Sequence, residues 1–124
     1  MKKNKTLSEM TEEELVGEFT NASIAQKEAS EKDKFSKYNK LFDRIVEIRN
    51  ERKIRPGDRR RDLLPLLTHD NIQVRLMAAI ETLAVAPDAA CRTLKEIKDS
   101  NWFPFAMDAS STLSWFESGR FRPE

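Results

Sequence analysis

At 124 residues, 39% hydrophobic and 35% charged, the chain is long enough for one core without staples and too apolar for a disordered segment; a chain of this size buries roughly two-thirds of its unfolded surface. Its 22 basic and 21 acidic residues leave a net charge of +1, which argues against a strong whole-molecule field for nucleic acid or a membrane surface. One Cys and one His exclude an internal disulfide and leave a Cys/His zinc site short of ligands.

Residues 1–8 are expected as a disordered tail and 9–124 as a single helical domain. Met1-Lys2-Lys3-Asn4-Lys5 has the charge of a signal n-region, but Glu9 and Glu12 to Glu14 follow where an apolar stretch would be needed, so no secretory signal is expected. Thr11 with Glu14 is a capping box, in which hydroxyl and carboxylate satisfy backbone N–H groups at a helix start. Leu15, Phe19, Ala22 and Gln26 follow at helical spacing, with Ala25 and Ala29 alongside and Gly17 as a weak point. The second helix is the clearest: Phe35, Tyr38, Leu41, Phe42, Ile45 and Ile48 form one apolar stripe between charged residues. Pro56-Gly57 stops it.

A short third helix is expected from about Asp58 through Leu67, kinked by Pro65. Asp70-Asn71 is a turn and cap signal. The fourth helix, Ile72 to Ala86, is apolar on almost every side and should be the buried central one. Asp88 is the expected cap of a fifth helix through Lys98, anchored by Leu94 and Ile97. Asn101 to Pro104 reads as a loop. A sixth helix, Asp108 to Ser118, has Gly119 at its C′ position. Apolar runs such as Leu63 to Leu67 fall far short of the ~20 residues a membrane span needs. A lone Cys is compatible with a reducing compartment, so a cytoplasmic protein is expected. No window alternates as a strand does, and the fold class is all-α.

The segment Leu63-Leu64-Pro65-Leu66-Leu67, then Asp70, Val74-Arg75, Ala78-Ala79 and Leu83 resembles a HEAT repeat unit; residues 88–116 resemble a degenerate second one without the Val-Arg pair. The whole chain also resembles a family of small bacterial proteins that carry a domain of unknown function. The matching segments are Glu12-Glu13-Glu14-Leu15-Val16, Tyr38-Asn39-Lys40-Leu41-Phe42, Gln73-Val74-Arg75-Leu76 and Ala84-Val85-Ala86-Pro87. These resemblances imply a short HEAT-like α-solenoid of about six helices with an N-terminal helical pair. They imply little about activity, because such stacks mostly present binding surfaces.

Candidate chemistry is sparse. His69 beside Asp70 offers a general base in form, but adjacent residues are poorly placed for that geometry and no nucleophile is near in sequence. Helix termination explains it better. Cys91 reads as a small buried hydrophobe. Glu14 and Glu18 share a helix face, yet no His accompanies them and acidic residues favour helix N-termini for dipole reasons. Asp70 and Arg75 are read, through the HEAT resemblance, as structural. No cofactor or metal is expected, and the protein is expected not to be an enzyme.

The sharpest feature is basic. Between Arg49 and Asp62, seven cations stand against three carboxylates, +4 locally in a chain totalling +1. Arg52, Lys53, Arg55, Arg59, Arg60 and Arg61 surround Pro56-Gly57, and arginine suits bidentate contacts with carboxylate or phosphate. A solvated helix end stabilised by its dipole is the plain alternative. Trp102 and Phe121 lie beside expected loops, whereas Trp115 and Phe116 are expected to close the helical stack. The expected function is protein binding through Arg52, Lys53, Arg55, Arg59, Arg60, Arg61 and Trp102, to a partner with an acidic surface. A bacterial toxin-immunity or antitoxin-type role is its concrete form. A nucleic-acid-binding module using the same basic segment is the alternative, and no membrane partner is expected.

Overall fold

The computed structural model describes residues 5–124. Among the described residues there are five α-helices: α1 (Glu12–Glu31), α2 (Phe35–Ile54), α3 (Ile72–Thr82), α4 (Pro87–Asp99) and α5 (Phe105–Glu117), with 3₁₀ segments at Leu7–Glu9 and Arg59–Thr68. The protein is all-α, with no strand among the described residues. The stretch 9–124, expected as one domain, divides into two compact units, the first ending at Asp62 and the second spanning Leu63–Glu124. Among the described residues no helix is long and apolar enough to cross a membrane.

In the first unit α1 packs on α2. The Thr11 hydroxyl accepts from Glu14 N–H, and the Glu14 carboxylate accepts from Thr11 N–H, both at 3.1 Å. Leu15, Phe19, Ala22, Gln26 and Ala29 are all buried, so the stripe read from spacing is the packed face. The expected tail begins outside the described residues (1–4). Beyond them, Leu7–Glu9 makes one 3₁₀ turn closed by a reciprocal Thr6–Glu9 pair. The α2 stripe is only partly used. Ile45 and Ile48 are buried, whereas Phe35 is 67% exposed and Phe42 is 42% exposed. Helical side chains lean toward the N-terminus, so Phe35, on the first residue of α2, projects past the turn. α2 ends where Pro56 forces Arg55 into an extended conformation; Gly57 then takes a positive φ of 81°, which glycine adopts without strain.

In the second unit α3 packs against α4 and α5, and nine of its eleven residues are buried. The Asn71 side chain caps it, accepting from Gln73 N–H at 2.9 Å and Val74 N–H at 3.3 Å. α3 stops at Thr82 rather than Ala86: its end tightens into a turn, with Leu83 N–H donating to Ile80 O and Val85 N–H to Thr82 O, and Ala86, ahead of Pro87, leaves helical geometry. Pro87 then occupies the first turn of α4, a position that needs no N–H, and Asp88 sits in that turn instead of capping it. α5 likewise starts three residues before Asp108, with Phe105 already buried. Leu76, Leu83, Leu94, Ile97, Phe105 and Leu113 form the centre of this core. Gly119 follows the last turn with φ of 79° and donates to Phe116 O.

Candidate functional site

The basic segment lies at the end of α2 and the start of the following 3₁₀ segment. Arg52 falls one turn beyond Ile48 on the packed stripe, and its side chain is fully buried. Its guanidinium donates to Arg59 O at 2.7 Å and reaches Glu12 O at 3.5 Å. Asp62 Oδ2 stands 3.5 Å away. Burial pulls the Arg52 pKa down, and the Asp62 charge opposes that. Arg55 uses all three nitrogens: Nε to Glu51 at 2.7 Å, Nη1 to Glu12 at 3.1 Å, and Nη2 to Leu7 O at 3.0 Å. Its hydrogen bond to Glu51 is the main reason its pKa rises. Arg60 grips Asp58 with both ends, at 2.8 and 2.6 Å, and is buried. That grip holds the Asp58 carboxyl below its ordinary value.

The side chains expected to share one partner-facing surface are therefore divided. Arg52 and Arg60 are interior, corrected from that surface by the helical register of Arg52 and the fold-back of Arg60 onto Asp58. Arg55 is nearly covered. Arg59 is half-exposed and paired to Asp62 at 2.9 Å. Lys53 and Arg61 are exposed. The segment's own Glu51, Asp58 and Asp62 are thus engaged by its arginines, and α1 adds Glu12 from 43 residues away, which lowers the local excess from +4 to +3.

Trp102 belongs to the second unit. It is 50% exposed and packs edge-on against the buried Phe105 ring at 5.6 Å. Phe103, Met107 and Trp115 are exposed to a similar or greater degree. Trp115, expected to close the stack, thus keeps half its surface open, while Phe116 and Phe121 pack against the core. The chemistry-bearing candidates are engaged elsewhere. His69 Nδ1 accepts from Asn71 N–H at 2.9 Å, which makes the imidazole part of the turn before α3. Arg75 Nη1 donates to the backbone carbonyls of His69 and Asp70, at 2.7 and 3.1 Å, so it binds the Asp70 main chain. Glu18 faces Arg44 of α2 at 3.4 Å and Glu14 faces Lys5 at 3.0 Å.

With this geometry in place, comparison with known proteins is informative. The family model described as a domain of unknown function (DUF2019) matches residues 13–117. The chain belongs to this family. It is also similar to a solved structure, the protein RPA1889 from Rhodopseudomonas palustris CGA009. The two are 41% identical with a TM-score of 0.93, over 98% of this chain and 100% of that one. No curated protein matches. The DUF2019 assignment bears out the expected likeness to a helical family carrying a domain of unknown function.

In this DUF2019 chain Phe103 and Met107 are more exposed than Trp102 itself. Phe103 belongs to the aromatics crowded near the end of the sequence, whereas Met107, three residues past Pro104, carries no such signal. The Cys91 thiol is half-buried, and burial, then Glu117 and Asp88, push its pKa up. Such surroundings favour the thiol over the reactive thiolate.

Proposed function

We propose that the chain is a non-catalytic, HEAT-like helical module that binds another protein, with Trp102 and its neighbours on the second unit as the contact surface. The observation that carries this reading is the exposure of Trp102, Phe103, Met107 and Trp115, each half or more open to solvent, inside one fourteen-residue stretch. Isolated exposed apolar residues are ordinary, but a concentration of large aromatic ones is characteristic of contact surfaces, where Trp is a frequent hot spot. The HEAT-like part is supported by the leucine-rich 3₁₀ segment, the Asn71 cap and the Arg75 contacts that tie α3 to the preceding turn. The non-catalytic part is supported by the use of His69 as a turn acceptor.

The concrete form we favour is an immunity or antitoxin-type protein that occludes an acidic partner in the cytoplasm, the compartment that a lone thiol fits. Genomic neighbourhood discriminates: an adjacent toxin-like reading frame supports it and isolated occurrence opposes it. The nucleic-acid reading has less support, because Arg52, Arg55, Arg59 and Arg60 already hold carboxylates. Affinity capture from native extract, run with the natural chain and with Trp102→Ala, tests the main reading. One protein retained by the first and lost with the second is expected. Equal retention by both, or none by either, would overturn it.

A further inference from the structure

A groove of about 860 Å³ lies between α4 and α5 in the second unit. Its α4 wall carries Arg92, Lys95 and Lys98, and its α5 wall presents Ser110 and Ser114. The three cations step along α4 at i, i+3 and i+6, an axial spacing of about 4.5 Å. All three are exposed, and among the described residues none of their side chains has a hydrogen-bond or ion-pair partner. This sets them apart from Arg52, Arg55, Arg59 and Arg60 of the first unit, whose guanidiniums meet Glu12, Glu51, Asp58 or Asp62.

The groove is graded along its length. Lys98 and Ser110 also line a second hollow, of about 560 Å³, where Phe103 and Met107 supply apolar surface beside Asp99, Asn101 and Ser111. Asp88 and Glu117 supply the opposite, anionic end. The order is therefore an apolar patch edged by Asp99, then the cationic row, then the anionic end. We infer that this groove takes an acidic peptide segment of a protein partner: an apolar side chain at Phe103–Met107, carboxylates against Lys98, Lys95 and Arg92, and a basic residue beside Asp88 and Glu117. Arginine and lysine bind carboxylates through charge-assisted hydrogen bonds, and the serine hydroxyls add donors for peptide carbonyls. A continuous polyphosphate fits less well, because its charge would run on into Asp88 and Glu117. The inference rests on the protein-binding reading and names its partner chemistry.

The test is selection of randomised displayed 12-residue peptides on the full chain. The enriched peptides are then measured by fluorescence anisotropy against the natural chain, Lys95→Glu and, on the other unit, Lys53→Glu. Both lysines are exposed, so both variants should fold, and circular dichroism checks this. Enriched peptides should combine acidic residues with an apolar one. Their affinity should fall by at least about tenfold in Lys95→Glu, weaken as salt rises, and change less than about twofold in Lys53→Glu. No enrichment, enrichment without acidic residues, or equal binding to Lys95→Glu would overturn the inference. Tighter, Lys95-dependent binding of a 12-nucleotide single-stranded DNA would also overturn it and assign the groove to nucleic acid. If Lys95→Glu still captures a cellular partner in a Trp102-dependent way, the groove inference fails and the protein-binding reading stands. If the natural chain captures none, that reading itself fails.

Discussion

Replacing Asp62 by Asn tests whether Arg52 is a structural cation. The two side chains are 3.5 Å apart, Arg52 is fully buried, and Asp62 is 23% exposed. At that separation an effective dielectric of about 20 gives an attraction of about 5 kcal/mol. Partial solvation of Asp62 and its second cation, Arg59 at 2.9 Å, reduce the loss, which should be ~2–4 kcal/mol, near the cost of leaving a buried charge uncompensated. Arg52→Met removes the buried charge and keeps most of the volume, leaving Arg59 O without its 2.7 Å donor, for a smaller cost of ~1–2 kcal/mol. The double variant should be no less stable than Asp62→Asn alone, because the orphaned charge is gone. Urea titrations followed by far-ultraviolet circular dichroism measure all four proteins. Trp fluorescence reads the second unit separately, since both tryptophans, Trp102 and Trp115, lie there. The reasoning is refuted if Asp62→Asn stays within ~0.5 kcal/mol of the natural chain, as an exposed pair would, or if the two single losses simply add.

Three further outcomes follow from the same contacts. Gly17 is helical and exposed, and a Cβ there would meet nothing within 4 Å; Gly17→Ala should stabilise by ~0.5–1 kcal/mol in thermal melts, and a loss would contradict the open space. Arg75→Ala removes donors to two backbone carbonyls and should cost ~1–2 kcal/mol with partner affinity little changed; unchanged melting with lost binding would make Arg75 a contact residue. Asp58 has its folded-state pKa lowered, chiefly by the Arg60 hydrogen bond. Its contribution is therefore full above the unfolded carboxylate value, about 3.9, and is lost as pH falls through the lower folded value. Asp58→Asn should accordingly be less stable than the natural chain at neutral pH, with the difference closing below about pH 4; a difference that stays constant down to pH 2 would contradict this.

What the sequence made legible was local. The Thr11–Glu14 box spans three residues, so both partners are visible in one helical turn, and the Leu15–Ala29 stripe follows from helical period alone. Helix ends near Pro87 and Pro104 were misplaced by a few residues, because the cap signals of Asp88 and Asp108 competed with a proline that sets the start. The α2 stripe gave no sign that Phe35 and Phe42 would stay open, since coverage depends on where α1 and the turn end. The basic segment was the hardest to read. Nothing in its composition shows that Arg52 continues the buried row of Ile45 and Ile48, or that Glu12, 43 residues away, closes on Arg55. The row Arg92, Lys95, Lys98 was visible as a spacing on an amphipathic helix. That Ser110 and Ser114 of α5 line the same groove is visible only in the structure.

We propose that a protein partner meets the second unit at Trp102. It is tested most directly by photo-crosslinking in the native cell, with benzoylphenylalanine in place of Trp102 and, separately, in place of Lys53. The account predicts one discrete adduct of higher mass from position 102 and none from position 53. An adduct only from position 53, or none from either, would contradict it.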